Sequence, residues 1–385
     1  MNEVIDRRDA NDRRKEGDSA LAPGRLMEPP FKAMRHIAGV LDAAFACMDA
    51  RAEGREKPIA TPWPELNLQL PGGGYWPGCH VVVGGTGAGK SAWAMQLSLH
   101  AARNGSPVVY VGLELDESQI ALRLAGEMAK VGWSRLYTGE ATLAERQRAR
   151  EAKLELAQMP IHIESGNAMG WPASRIEKAV AEVRESHPAA PILLIVDFLQ
   201  LVGAEADAGR QDLRERIGRA AYVAREAARK HGATVLLVSS VSRENYARVA
   251  GPEILAAAGL AADRHDGVVV ERYLTAPDAI VGLGKESGEI EYAADSVSVM
   301  VSLPRVERRA VRAVVFILAK VRAGRPSWCS FLFDGFRFAE DPTHGRVALD
   351  AIDGLRKSRA GASQPPPGPA PAASPELSRP PPYKV

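Results

Sequence analysis

The chain has 385 residues, 46% of them hydrophobic and 25% charged, which excludes a wholly disordered protein. Its 49 Lys and Arg against 47 Asp and Glu leave a net charge of +2, which neither demands nor excludes a nucleic-acid partner. No apolar run reaches the roughly 18 residues of a membrane span, since residues 191–204 are broken by Asp197 and Gln200. Cys47, Cys79 and Cys329 lie too far apart in sequence for a CxxC pair, which suits a reducing, cytoplasmic setting.

Residues 1–30 mix both charge signs with Ala, Gly and Pro and show no period, the pattern of a disordered segment. In 31–55 the residues Met34, Ile37, Val40, Leu41, Ala44 and Met48 recur at three- and four-residue spacing, which predicts an amphipathic helix. Its apolar stripe must bury against something, so it reads as a linker or oligomerisation helix. A turn-rich stretch, ELNLQLPGGGYWPG, leads into the main domain, read as 56–350.

Within 80–340, strand-like runs (HVVVGG, PVVYVGLE, PIHIES, PILLIVDFLQLV, ATVLLVSSV) alternate with segments of helical spacing. Apolar, β-branched strands separated by helices predict an α/β fold: a mainly parallel sheet with helices on both faces. The runs DSVSVMVSL, RAVVFILAKVR and SWCSFLFDGFRF follow one another without helices and predict an antiparallel C-terminal extension. Residues 351–385 are expected to be a Pro-rich disordered tail.

The strongest local signal is Gly84-Gly85-Thr86-Gly87-Ala88-Gly89-Lys90-Ser91, a G-x-x-x-x-G-K-[ST] loop between a strand and a helix. Glycines let successive backbone N–H groups turn inward as an anion nest at a helix N-terminus. Lys90 is placed to reach β- and γ-phosphates, and the Ser91 hydroxyl to ligate Mg²⁺, so ATP and Mg²⁺ are the expected cofactors. Asp197, at the end of PILLIVD, is the candidate acid for the metal, since a carboxylate ending so apolar a strand needs a partner. Glu114 ends the second strand, at the edge where ligands sit in a parallel sheet, and is the candidate for polarising water.

Taken with their order, these segments resemble the RecA-type motor domain of DnaB-type replicative helicases, from about residue 40 to 340. The likeness rests on VLDAAFACMDARAEG, the phosphate loop, VGLELDESQIALRL, VDFLQLV, LLVSSVSREN, KESGEIEYAADSV and ILAKVRAG. It implies a RecA-like P-loop NTPase fold, with Glu114 as water-activating glutamate and Asp197 as Mg²⁺-associated acid. It also implies that Lys320 and Arg322, a Lys-x-Arg pair, reach into a neighbouring subunit's nucleotide site. Two cations at i, i+2 on a strand share one face, as such a finger requires. The implied activity is ATP-driven movement on single-stranded DNA during replication by a ring, hexameric in the family, with a replication initiator or loader as partner. The implied DNA-facing loops are 203–212, with Arg210, and 244–284, followed by Lys285 and Glu286. A RecA-like regulatory or recombination ATPase without unwinding activity is the alternative. Three departures stand out: Ser239-Ser240 where the family usually has Ser-Gln, Gly85 where it often has Arg, and no counterpart of the helical collar domain.

Overall fold

The computed structural model describes residues 34–166, 171–203, 212–241, 273–283, 287–305 and 311–362. The chain forms two units, Met1–Glu56 and Lys57–Val385. In the first, helix α1 (Ile37–Ala52) is opened by the His36 side chain, whose Nδ1 accepts from the Ala38 N–H. Ile37, Val40, Leu41, Phe45 and Met48 are 40–61% exposed on this helix, the stripe expected from its spacing. The expected disordered segment 1–30 lies outside the described residues.

The second unit is built on one nine-stranded sheet in the order β3-β2-β4-β5-β1-β6-β7-β8-β9. Its strands are β1 (Gly78–Gly84), β2 (Val108–Gly112), β3 (Ile161–Ser165), β4 (Ile192–Asp197) and β5 (Ala233–Ser240). The later ones are β6 (Ser296–Arg305), β7 (Arg312–Val321), β8 (Ser327–Phe333) and β9 (Phe338–Glu340). The first six are mutually parallel, and β7 to β9 are antiparallel additions. The expected α/β architecture is therefore present, with one correction. DSVSVMVSL is not the first antiparallel strand, because β6 pairs parallel with β1. The short helix α9 (Ser287–Ala293) precedes it, on the crossover that a parallel neighbour requires.

Successive residues of each central strand point to opposite faces, so both faces bury apolar side chains. Val81, Val83, Val109, Ile192, Leu194 and Val235 line one face, and Val82, Tyr110, Leu193, Ile195 and Leu236 the other. Helices α7 (Ser174–Ser186) and α8 (Leu213–His231) cover the first face. Buried Ala220, Ala221, Ala224, Ala227 and Ala228 let α8 approach the strands closely. Asp212 caps its start in a capping box with Glu215, and Gly232 ends it at φ 59°. Helices α2 (Pro64–Gln69), α3 (Lys90–Arg103) and α4 (Glu117–Ala129) cover the second face. There Trp93 stacks between Trp63 and Phe316, with ring centroids 5.3 and 5.2 Å away. Two further helices, α5 (Trp133–Tyr137) and α6 (Leu143–Leu156), follow α4.

The C-terminal boundary also needs correction. Helix α10 (Arg346–Ala362) carries the fold past residue 350, with Ala348 and Ile352 buried in the core that α7 and α8 cover. No proline falls within its 17 residues, so the composition that marks the tail begins beyond it.

Candidate nucleotide site

The phosphate loop leaves β1 at Gly84 and enters α3 at Lys90. Gly87 at φ 73° and Gly89 at φ 94° take left-handed backbone that a side chain would strain. Gly89 has a second constraint, since a Cβ there would lie 2.6 Å from the Phe338 ring and 2.9 Å from that of Phe333. The C-terminal aromatic strands thus rest directly on the phosphate loop.

Lys90 folds back across the loop, its Nζ donating to the carbonyls of Gly84 (2.8 Å) and Gly85 (3.0 Å). Burial pushes its ammonium down to about 8, against the opposing pull of Asp197 and Glu114. Asp197 ends β4 and is buried; its partner is the Tyr110 hydroxyl of β2, which donates to Oδ2 at 2.6 Å. Burial and the adjacent carboxylate keep that phenol protonated, its pKa well above the usual value. Glu114 lies two residues beyond β2 and is exposed. Its turn is pinned to β4 by the bond from Leu113 N–H to the Asp197 carbonyl, 2.8 Å.

These groups converge on one cleft of about 430 Å³, which Thr86, Lys90, Ser91, Glu114, Asp197 and Ser240 all line. Gly85 and Ala88 are buried within the loop and shape it. Ser240 is linked to β4's end through Gln200, which accepts from the Ser240 N–H (3.2 Å) and donates to Ser239 Oγ (2.8 Å).

Lys320 and Arg322 are not in this cleft. Val321 pairs with Ser296, and Ser296 with His80 at the beginning of β1, so both cations lie at the opposite edge of the sheet. There Arg322 pairs with Asp295 (3.2 Å) and Lys320 donates to the Glu291 carbonyl. Asp295 also accepts from the Cys79 N–H at 3.0 Å, which ties the pair to the root of β1. The expected DNA-facing residues Arg210, Lys285 and Glu286 lie outside the described residues.

The cleft also holds residues that sequence reasoning missed. Arg123, on α4, lies with its guanidinium carbon 4.0 Å from the Trp133 ring centroid. Its Nε is buried without a hydrogen-bond partner among the described residues. Burial lowers its pKa, while Tyr110, Asp197 and Glu114 oppose that shift, so the cation faces the acidic side of the site. The available signal was its place in the helical register, one turn beyond buried Ile120 and beside buried Leu124. Glu127, Phe333 and Phe336 complete the opposite wall. An anion nest, a half-buried lysine, a buried acid and an exposed carboxylate around one cavity can bind a nucleoside triphosphate and polarise water against it.

A family description, the DnaB-like helicase C-terminal domain, matches residues 60–254. The chain belongs to this family. A solved ATPase domain has the same fold, with a TM-score of 0.62 and 18% identity over 80% of this chain and 100% of that one. A DnaB-like replicative helicase, solved for its interactions with primase, aligns with a TM-score of 0.61 and 18% identity. That alignment covers 79% of this chain and 68% of the helicase. Comparison with curated protein sequences returns no match. Among the described residues, no helix is long and apolar enough to cross a membrane.

Proposed function

We propose that this member of the DnaB-like family is an ATP-hydrolysing motor that moves along single-stranded DNA during replication as a ring, most simply a hexamer. The observation that carries this reading is the convergence of Lys90, Ser91, Asp197 and Glu114 on one cleft at the carboxyl edge of the parallel strands. Lys90 exchanges its two loop carbonyls for phosphate oxygens. The Ser91 hydroxyl and the Asp197 carboxylate, oriented by Tyr110, would hold Mg²⁺, which when bound would neutralise phosphate charge. Glu114 orients and deprotonates water, and Arg123 faces the same acidic corner from α4.

Lys320 and Arg322 complete the site from an adjacent subunit. Their place at the far edge of their own sheet supports this, because neither can reach the phosphate loop it is covalently joined to. The exposed apolar stripe of α1 gives such a ring a second contact. Three unpaired cysteines, two of them buried, suit the cytoplasm.

Ser240 supports a second reading, a RecA-like regulatory or recombination ATPase without unwinding, since its short side chain replaces the family's usual glutamine at the cleft. Strand displacement on a forked duplex separates the two. The test of the motor reading is ATPase activity with and without single-stranded DNA, in wild type and Glu114→Gln. Stimulation by DNA is expected, with a drop of about two orders of magnitude in turnover but intact nucleotide binding in the variant. Wild-type-like turnover in Glu114→Gln, or activity indifferent to DNA, would count against it.

A further inference from the structure

The cleft has two ends, and the phosphate chemistry uses one. On α4, Glu127 stands one turn beyond Arg123, at i, i+4, so both face the cavity. Gln96 faces Glu127 from α3, six residues beyond Lys90, about 9 Å further along the helix axis. The Gln96 amide is itself fixed, donating to the Phe338 carbonyl (3.0 Å) and accepting from its N–H (2.8 Å). Met95, Val131, Trp133, Gly335 and Phe336 also line the cavity, with the Arg123 guanidinium over the Trp133 ring. The Phe336 turn is rigid, because Asp334 Oδ1 accepts from the N–H groups of both Phe336 (3.0 Å) and Arg337 (2.8 Å).

A nucleotide anchored at Lys90 and Ser91 has the remainder of the same cavity for its base, and aromatic lining residues such as Trp133 and Phe336 suit one. Glu127 is the acidic group at that end, since Glu114 and Asp197 belong to the phosphate end. Its side chain is 9% exposed, and Oε1 lies 3.0 Å from Arg337 Nε. Arg337 and Gln96 both donate to this carboxylate, and its remaining lone pairs can accept from a ligand. An acceptor suits the 6-amino group of adenine, whereas guanine carries an acceptor oxygen at that position.

We propose that Glu127 is the base-reading residue of the cleft, accepting a hydrogen bond from the 6-amino group of adenine while Arg337 holds the carboxylate in place. This rests on the nucleotide reading of the cleft, and the test is chosen so that the two can fail separately. Burial that lifts the Glu127 carboxyl to about 7 agrees with a desolvated position, where an added donor is worth most.

The experiment compares equilibrium binding of ADP with that of purine riboside 5′-diphosphate, which lacks the 6-amino group. It uses the full chain with Mg²⁺ at about pH 8, where a carboxyl of pKa about 7 is mostly ionised, as wild type, Glu127→Ala and Glu127→Gln. Wild type should favour ADP by about tenfold or more, the worth of one hydrogen bond to a charged acceptor. Glu127→Ala should lose that preference, with ADP weakened more than the purine riboside compound. Glu127→Gln, which keeps the shape and an acceptor oxygen, should retain part of it. Equal affinity of wild type for the two diphosphates would overturn the assignment and leave the nucleotide reading intact. So would an equal loss for both in Glu127→Ala, which marks a merely structural wall, or a preference for GDP that depends on Glu127. Binding of neither compound by wild type would bring down the nucleotide reading and this one with it.

Discussion

Lys90 makes nucleotide affinity depend on pH in a direction and size that follow from its surroundings. Burial holds its pKa at about 8, below the ordinary 10.5. Phosphate oxygens bind the ammonium and not the neutral amine, so affinity scales with the charged fraction. With a pKa of about 8 that fraction is about 0.76 at pH 7.5 and about 0.09 at pH 9. The dissociation constant for ADP should therefore rise about eightfold across that interval. Binding should also take up close to one proton per site at pH 9, because the bound phosphates drive the amine back to its charged form. The stability sign is opposite to that of a salt-bridged lysine. A depressed folded pKa is a cost to the native state that is fully present below pH 8 and relieved between about 8 and 10.5. The assay is fluorescence titration with a labelled ADP at both pH values, with calorimetry in two buffers of different ionisation enthalpy to count protons. Lys90→Ala is the control, and its weak binding should be flat with pH. An unchanged wild-type affinity from pH 7.5 to 9, or a fall that persists in Lys90→Ala, would refute the reasoning.

Two further outcomes test the site's construction. Arg322→Ala should bind ATP but turn it over about 10³-fold more slowly, and mixing it with Lys90→Ala protomers should restore activity in rings that pair an intact loop with an intact finger. If no mixing ratio exceeds the sum of the two variants although subunit exchange is demonstrated, the site is not shared. Gly89→Ala combines left-handed backbone with a Cβ 2.6 Å from Phe338, so it should lower stability by about 1–3 kcal/mol and abolish ADP binding. Thermal unfolding and the same titration read both effects, and a variant indistinguishable from wild type would show that the aromatic strands do not brace the loop.

Much of the site was legible because its chemistry sits at strand ends with fixed local spacing. The phosphate loop declares itself through glycines flanking one lysine, and Asp197 through an acid ending five apolar residues. Glu114 follows from the strand-end rule. The other wall was not legible, because it is assembled from segments more than 200 residues apart. Arg123 and Glu127 are two charged positions in a helical segment, and nothing in the local sequence marks them as part of a cleft. Their burial depends on the Asp334–Arg337 turn, which docks across α4 through the Arg337–Glu127 pair. Tyr110 read as one more apolar residue of a buried strand, and its hydroxyl became meaningful once Asp197 was found beside it in the sheet. The misread strand β6 shows the limit of inferring direction from connection length. Helix α9 is seven residues long, short enough to be missed by periodicity yet sufficient, with the segment before it, to return the chain in parallel.

Strand β7 has a consequence of its own for how such a ring would fire. Its ten residues span about 33 Å across the sheet. At one end Arg312 donates to the Gly87 carbonyl of the phosphate loop and lies over the Phe333 ring, 5.1 Å from its centroid. At the other end lie Lys320 and, one residue past the strand, Arg322, the two cations proposed to reach the neighbour. The stretch between, from Val314 to Leu318, is fully buried and paired on both sides, with an irregularity in the β6 pairing beyond each of its ends. In the proposed ring, a shift of the phosphate loop on filling or emptying its nucleotide would be carried by this stiff middle toward the next subunit's γ-phosphate. One strand would then be a clock hand shared by two adjacent sites, setting the order in which they hydrolyse without any contact between their ligands.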